Sequence, residues 1–195
     1  MPAKHTMKRV IVCLCGAMHS GKDVAASHLV ARHGFTALKL AKPLKDSLKV
    51  LFDLSDNEVD GPEKDVVSPR WGVAPRKLMQ FFGTEVLQME IQKVVPGIGR
   101  TFFAERLSAE IAKSDPAAKL VVSDLRFAHE LRVLRRDFPN QVVVVRVHRP
   151  SLETTDDGNN HVSEHEFKTL DVDWEIENGG SIEAFEREIT ELLSF

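Results

Sequence analysis

A lysine between a glycine and an acid, at the spacing of a phosphate-binding loop, is the most informative feature of the sequence. Residues 16–23 read Gly-Ala-Met-His-Ser-Gly-Lys-Asp and match the pattern Gly-x-x-x-x-Gly-Lys. The two glycines let the backbone curl so that successive N–H groups point inward, and the lysine adds a positive charge. The alternative is an ordinary tight turn. A polyphosphate such as that of ATP suits this loop, and the residues predicted to bind its phosphates are Gly16, His19, Ser20, Gly21, Lys22 and Asp23.

Asp23 departs from the usual form of this loop, which has serine or threonine after the lysine. A carboxylate oxygen can ligate Mg²⁺ as a hydroxyl does, either directly or through a bound water. An acid also suits the first turn of a helix, where the backbone dipole is positive. We therefore predict that Asp23 contributes to a Mg²⁺ site beside the phosphates.

Charged residues also follow the apolar runs of the chain. Asp124 and Arg126 come just after the run 119–122, and Arg149 comes after the β-branched run 141–147. In open α/β sheets ligands bind at the carboxyl ends of the strands, so these side chains are predicted to lie near the loop. An acid at this edge can organise a metal ion or a water during phosphoryl transfer, although Asp124 has the alternative of capping the next helix. The predicted catalytic residues are Lys22, Asp124, Arg126 and Arg149.

Two lysines after a second strand-like run are further candidates. The run 35–41 precedes Lys42, Pro43 and Lys45, and Pro43 suits the first turn of a helix. This order predicts that Lys42 and Lys45 lie at the carboxyl end of a strand, where they would bind the substrate phosphate or the ATP phosphates. The alternative is that both are exposed lysines at the start of a helix.

Alternating strands and helices must hold these groups in place. Short, nearly all-apolar runs, each followed by a helix-compatible stretch, are typical of a parallel sheet covered on both faces. We therefore predict an α/β three-layer domain in which the strand before the loop is central. The predicted strands are 9–15, 35–41, 119–122, 141–147 and 173–177. The predicted helices are 22–32, one from Pro43, 75–91 with an interruption at Gly83, 101–113, 128–136 and one from Ser181.

Polar stretches separate these elements. The composition of residues 54–72 favours a surface connection or a flap, and residues from about 150 to 168 are expected to form a lid. The second stretch contains His161, Ser163, Glu164 and His165. The spacing His-x-x-x-His occurs in zinc sites, but no cysteine or third histidine at ligand spacing accompanies it.

Composition sets the broad class of the protein. With 195 residues, 28% of them charged and 43% hydrophobic, the chain is expected to form a single domain. It has no apolar run of membrane length, and residues 1–6 lack the apolar core of a signal peptide, so we expect a cytoplasmic protein without a membrane partner. The absence of an arginine-rich or aromatic-studded basic tract argues against a nucleic-acid partner. Cys13 and Cys15 are predicted to be buried, reduced thiols instead of a disulfide or a metal pair.

The order of several motifs resembles the deoxynucleoside monophosphate kinases of phages and large DNA viruses, a family of P-loop kinases. The resemblance covers nearly the whole chain, and the order of the motifs is more specific than any one of them. The motifs that carry it are residues 16–23, 40–46, 75–80, 83–86, 122–127, 145–150, His161 with Ser163 and Glu164, and 177–181.

This resemblance implies a three-layer P-loop kinase fold with a parallel sheet and a lid or substrate-binding insertion, the latter at about residues 42–113. It implies transfer of the γ-phosphoryl group of ATP to a deoxynucleoside 5′-monophosphate, with Mg²⁺ as cofactor. It leaves open which base is preferred, whether ribonucleotides are excluded and whether the chain forms a homodimer. The residues that it assigns to the small-molecule substrate are Lys42, Arg76, Gln80, Gly83, Thr84, Glu85 and Arg126.

Two departures from the family pattern leave alternatives. Many relatives have arginine at the position of Gln88 and tryptophan at that of Phe103, so a cationic substrate contact is either missing or supplied by Arg100. The animal-type phosphomevalonate kinases share the Gly-Lys-Asp loop and the Ser-Asp-x-Arg element, and they are the second hypothesis. A non-catalytic P-loop domain that binds nucleotide as a regulator is the third, because binding residues do not guarantee turnover.

Overall fold

A central parallel sheet organises the computed structural model, which describes residues 8–152 and 166–193 of the chain. Within these residues the strands are β1 Val10–Cys15, β2 Thr36–Leu38, β3 Lys119–Val122, β4 Val142–His148 and β5 Trp174–Glu177. They form one sheet in the order β2-β3-β1-β4-β5, and every pair of neighbours is parallel. The strand before the phosphate loop is therefore central, as predicted, and the α/β class is confirmed.

Helices connect the strands, as a parallel sheet requires. The α-helices of the described residues are α1 Lys22–His33, α2 Lys42–Phe52, α3 Asp56–Val59, α4 Pro75–Gln80, α5 Phe102–Ala112, α6 Ala128–Asp137 and α7 Ile182–Glu191. The shorter 3₁₀ segments are Pro62–Asp65, Glu90–Lys93, Gly99–Thr101, Pro150–Leu152 and Glu166–Thr169, and Phe81–Met89 is a π-helix. None of the helices in the part of the chain that the structure describes is long and apolar enough to cross a membrane.

The chain divides into two compact units. The first, called here the sheet unit, comprises Met1–Lys39 and Ala104–Phe195 and contains the strands named above. The second, called the helical unit, is Leu40–Phe103 and contains α2, α3, α4 and the π-helix. The organisation of the chain as one kinase domain, with a substrate-binding region at about 42–113, stays a prediction.

Apolar side chains of β1 anchor the core of the sheet unit. Val12 and Leu14 lie on one face of the strand, because side chains two residues apart share a face. Burying such a side chain contributes about 1.5–3 kcal/mol, so the strand that leads into the phosphate loop is held firmly. The core cluster comprises Val12, Leu14, Ala25, Ala26, Leu29, Phe35, Val121, Val145, Val147, Ile176, Phe185 and Ile189.

Cys13 and Cys15 lie on the opposite face of β1, where both are fully buried free thiols. Burial raises the pKa of both thiols, that of Cys15 to about 11 even though the Arg146 guanidinium acts in the opposite direction. Both thiols are therefore protonated at neutral pH. The prediction that both cysteines are buried is confirmed.

The helical unit has helical turns where composition predicts a surface connection. Helix α3 lies within residues 54–72 and begins at a capping box. Ser55 Oγ accepts a hydrogen bond from Glu58 N at 3.3 Å, and Glu58 Oε2 accepts one from Ser55 N at 2.8 Å. These bonds satisfy two backbone N–H groups at the helix start. The segment 54–72, predicted to be a surface connection or a flap, thus carries α3 and the 3₁₀ turn Pro62–Asp65.

The interruption predicted at Gly83 is a change of helix type and not a break. Helix α4 ends at Gln80, and the chain continues directly into the π-helix Phe81–Met89. Gly83 is buried, and a Cβ at this position would lie 2.9 Å from Cδ2 of Leu44 on α2. Gly83 on the π-helix therefore packs closely against the Leu44 side chain of α2.

Candidate active site

The phosphate loop connects the end of β1 to the start of α1. Three of its residues have positive φ angles, namely Gly16 at 143°, His19 at 63° and Gly21 at 110°. A positive φ is uncommon for a residue with a side chain, so His19 marks a backbone conformation that the surroundings must enforce. The loop is curled as predicted, and its last residue, Gly21, is the N-cap of α1.

Both glycines of the loop combine a positive φ with close neighbours. A Cβ at Gly16 would lie 2.3 Å from the carbonyl oxygen of Val147 on β4. A Cβ at Gly21 would lie 2.4 Å from Nδ2 of Asn178, in the turn after β5. The carbonyl oxygen beside Gly16 is backbone and leaves no room for a Cβ, whereas a Cβ at Gly21 would require the Asn178 side chain to shift. The backbone of the loop is therefore packed directly against the two neighbouring strand ends.

Lys22 and Ser20 line the curled loop. The Lys22 ammonium donates hydrogen bonds to the carbonyl oxygens of Gly16 at 2.9 Å and Ala17 at 2.6 Å. Ser20 is fully buried, and within the described residues its hydroxyl has no hydrogen-bond partner. A buried polar atom without a partner is costly, and such atoms often mark the place of a ligand or a water. The loop thus combines a cation, a hydroxyl and a helix N-terminus, which fits a polyphosphate.

Asp23 lies in the first turn of α1 with an exposed side chain. Its Oδ1 is 3.3 Å from Lys39 Nζ and accepts a hydrogen bond from the Ser123 hydroxyl at 3.5 Å. Ser123 follows β3, so this contact joins the loop to a second strand end. Within the described residues no group of three or more His, Cys, Asp and Glu side chains could hold a metal ion by itself. A Mg²⁺ ion at Asp23 would therefore share its shell with phosphate and water oxygens, which is the usual arrangement for this ion.

Lys39 corrects the prediction for the two lysines that follow it. Strand β2 ends at Leu38, three residues before the predicted end at residue 41, so Lys39 is the lysine at its carboxyl end. Lys42 and Lys45 lie on α2, where they form ion pairs with Asp46 and Asp60 of the helical unit, and their role in phosphate binding stays a prediction. A three-residue edge strand gives too short a pattern for its end to be predicted.

Arg149 and Asn178 contact the backbone of the loop. The Arg149 guanidinium donates to the carbonyl oxygen of His19 at 3.4 Å, which supports its predicted place at this edge. Asn178 Nδ2 donates to the carbonyl oxygen of Ser20 at 2.9 Å, and its own backbone N–H donates to His148 O at 2.7 Å. Asn178 falls in a motif of the resemblance, but nothing in the sequence around it predicts this contact with a loop 158 positions earlier.

The turn after β3 carries Asp124 and Arg126. Phe127 is the N-cap residue of α6, and Glu130 in the first turn of that helix points its carboxylate back at the turn. Glu130 Oε2 accepts hydrogen bonds from the backbone N–H groups of Arg126 and Phe127, both at 3.0 Å. Glu130 therefore supplies a side-chain acceptor at the start of α6, and the two alternatives for Asp124 stay predictions.

The other predicted substrate residues belong to the helical unit. Arg76 on α4 pairs with Asp65, with 3.0 Å between Nη2 and Oδ2. Gln88, on the π-helix, is 4% exposed, and within the described residues its Oε1 has no hydrogen-bond partner. The His-x-x-x-His pair His161 and His165 and most of the predicted lid lie outside the described residues. The remaining predicted substrate residues of α4 and the π-helix are Gln80, Gly83, Thr84 and Glu85.

Known proteins are similar to this chain in sequence and in fold. The family model DNMK, deoxynucleotide monophosphate kinase, matches residues 63–189. A candidate deoxynucleotide monophosphate kinase of Acanthamoeba polyphaga mimivirus is 32% identical over 189 residues, which cover 92% of this chain and 94% of the relative. The APS kinase CysC of Mycobacterium tuberculosis, solved with AMPPNP and APS, has a TM-score of 0.52 at 14% identity and shares the fold over 96% of this chain and 99% of its own. The chain therefore belongs to the deoxynucleotide monophosphate kinase family and is a P-loop kinase.

Proposed function

We propose that this chain transfers the γ-phosphoryl group of ATP to a deoxynucleoside 5′-monophosphate and so forms the diphosphate. The observation that carries the proposal is the phosphate loop, in which Lys22 begins α1 directly after the positive-φ residue Gly21. Family membership supports the deoxynucleotide acceptor. In this reaction an acceptor phosphate oxygen bonds to the γ-phosphorus while the bond from that phosphorus to the bridging oxygen of ADP breaks.

The donor side of the proposed site is the loop with its neighbours. Lys22 and the inward backbone N–H groups would bind the phosphates of ATP, and the buried hydroxyl of Ser20 is a further donor. The exposed carboxylate of Asp23 would hold Mg²⁺, directly or through a water. Mg²⁺ supplies neutralisation of the charge on the phosphate oxygens when it is bound. Lys39 offsets the negative charge of Asp23, with 3.3 Å between ammonium and carboxylate.

In this proposal three residues act during the transfer step itself. They are Arg149, Asp124 and Arg126. Phosphoryl transfer needs alignment of two anions and stabilisation of spreading negative charge more than it needs covalent chemistry. Arg149, which donates to the His19 carbonyl oxygen, would contact the transferred group. Arg126 would bind the acceptor phosphate with its planar guanidinium, and Asp124 would orient a water or the metal ion.

The acceptor residues in the helical unit are assigned by the resemblance. Family membership also favours the nucleotide acceptor over phosphomevalonate, and a kinase over a non-catalytic regulator. The assignment of individual contacts stays a prediction for Lys42, Arg76, Gln80, Gly83, Thr84 and Glu85.

A product assay across acceptors tests the proposed function. The purified chain is incubated with ATP and Mg²⁺ and with each of the four deoxynucleoside monophosphates, the matching ribonucleotides or phosphomevalonate, and diphosphate formation is followed by chromatography. We expect at least one deoxynucleoside diphosphate to form with the highest kcat/KM. The Lys22→Ala variant is the negative control, with kcat expected to fall roughly 10²-fold or more. A preference for phosphomevalonate, or no turnover with any acceptor, would contradict the proposal.

A further inference from the structure

Glu130 is a buried carboxyl that the proposed chemistry does not use. It is 5% exposed and lies in the first turn of α6, directly under the turn that carries Arg126. One of its oxygens, Oε2, accepts both the Arg126 N–H and the Phe127 N–H at 3.0 Å. Two successive backbone groups therefore converge on a single side-chain atom.

Apolar anchors on either side of Arg126 complete this arrangement. Leu125 is 1% exposed and Phe127 is 4% exposed, so the residues before and after Arg126 are both held in the core. Two anchored neighbours and two hydrogen bonds leave the backbone of residue 126 little freedom. The direction in which its side chain leaves the sheet edge is therefore set by Glu130 as much as by the strand.

Other charged or titratable groups surround Glu130. Asp124 and Arg126 of the turn act on its charge with opposite signs, and Glu130 in turn acts on the Cys13 thiol of β1. From the 3₁₀ segment 166–169, Glu166 Oε1 accepts the backbone N–H of Ala128 at 3.3 Å. Glu130 itself contacts the backbone of Arg126.

We propose that Glu130 is a positioning residue, which holds the turn after β3 so that Arg126 meets the acceptor phosphate. This inference rests on the proposed function, in which Arg126 binds that phosphate. An ordinary helix cap would use the same two hydrogen bonds, but its loss would lower stability without a specific effect on the acceptor. The two roles therefore differ in which kinetic constant changes.

The test compares Glu130→Ala with Glu130→Gln, because the glutamine keeps an acceptor oxygen of the same reach. Kinetics are measured below the unfolding transition, and ATP affinity is measured by calorimetry. We expect Glu130→Ala to raise KM for the acceptor about tenfold or more with ATP affinity nearly unchanged, and Glu130→Gln to restore the acceptor KM to within a few-fold of wild type. Glu130→Asp, whose side chain is one methylene shorter, replaces the alanine variant if that variant does not fold.

A matched control and an activity-independent readout separate this proposal from the proposed function. Asp173 is another side chain that accepts a backbone hydrogen bond, because its Oδ2 accepts the Val144 N–H at 2.7 Å. Asp173→Ala is expected to lower stability without changing the acceptor KM. Hydrogen exchange of the Arg126 and Phe127 amides should accelerate in Glu130→Ala and not in Glu130→Gln. Loss of stability with an unchanged acceptor KM, or unchanged amide exchange, overturns the positioning role. Absence of any turnover in wild type overturns the proposed function instead.

Discussion

Asp23 is the residue at which the loop departs from its usual pattern, and its neighbours show how an acid is accommodated. Lys39 lies 3.3 Å from its carboxylate, and the Ser123 hydroxyl donates to the same oxygen. The carboxylate is largely exposed, so the ion pair contributes at most about 1 kcal/mol to stability. Its effect is therefore expected on the electrostatics of the site. The lysine offsets a charge that serine or threonine would not bring.

Removal of the Asp23 carboxylate tests its role in Mg²⁺ binding. We expect Asp23→Ala to raise the Mg²⁺ concentration needed for half-maximal activity, because the shell loses its protein oxygen. Asp23→Ser should keep substantial activity, because a hydroxyl is the common group at this position. Mg²⁺ titrations of activity, and calorimetry of Mg²⁺ binding with ATP present, measure the effect. Superimposable titrations of wild type and Asp23→Ala would show that Asp23 is only a helix-start acid.

Arg126 separates the acceptor side from the donor side. A charged contact to the acceptor phosphate is expected to contribute about 2–4 kcal/mol to transition-state stabilisation. Arg126→Ala should therefore lower kcat/KM for the best monophosphate by the matching factor and leave ATP affinity nearly intact. Kinetics with varied acceptor give kcat/KM, and calorimetry without acceptor gives the ATP affinity. An equal loss of ATP affinity would move Arg126 to the donor side.

At the scale of elements, the loop depends on the strand ends that pack against it. Gly21 has a φ of 110°, and a Cβ there would meet Asn178 Nδ2 at 2.4 Å. Gly34, which ends α1, also has a positive φ of 69°, but a Cβ there would meet no atom within 4 Å. The two glycines therefore separate the effect of backbone conformation from the effect of space.

Alanine at these two glycines should act differently. Gly34→Ala is expected to cost about 1–2 kcal/mol of unfolding free energy, the strain of a left-handed residue, and to leave ATP binding unchanged. Gly21→Ala should cost more and should also weaken ATP binding, because Asn178 and the loop must move apart. Denaturant unfolding of both variants measures the free energy of unfolding, and calorimetry measures their affinity for ATP. Equal ATP affinities in the two variants would show that the Asn178 contact does not shape the loop.

The elements differ in how well the sequence predicts them, for physical reasons. β1, β3 and β4 were predictable to within a residue at each end, because a strand buried on both faces must be apolar throughout. β2 is a short edge strand without that constraint. Its end was therefore predicted at residue 41 instead of Leu38, and Lys39 was not predicted to follow the strand. The π-helix Phe81–Met89 was not predicted, because apolar periodicity does not distinguish a π-helix from an α-helix over so short a stretch.

The sequence also did not predict the long-range contacts of the site, because these contacts depend on how the whole sheet folds. Asn178 binds the backbone of Ser20 across 158 positions, and only the folded sheet brings these residues together. Glu130 has the spacing of a helix-start acid, but its bond to Arg126 depends on how the chain turns after β3. The sequence therefore predicts which residues occur in the loop and at the strand ends. It does not predict the side-chain-to-backbone hydrogen bonds that fix their positions.

For the whole molecule, the buried carboxyl of Glu130 links stability to pH. Burial raises its pKa to about 8, although the backbone N–H groups of Arg126 and Phe127 and the Arg126 charge act in the opposite direction. Between about pH 4.5 and pH 8 the folded chain therefore holds a proton that the unfolded chain has released. The free energy of unfolding should fall as pH rises across this window, by at most about 1.4 kcal/mol per pH unit.

Comparison with Glu130→Gln isolates this effect, because the glutamine has no proton to lose. His33 acts with the opposite sign, since burial lowers its pKa and stability is lost as pH falls below about 6.5. His33 is present in both proteins, so its contribution cancels in the difference. We expect the unfolding free energy of wild type minus that of Glu130→Gln, measured by denaturant titration from pH 5 to 8, to decrease steadily with pH. A difference that stays constant across this range would mean that Glu130 is already ionised in the folded protein at pH 5, held by its two backbone donors and Arg126.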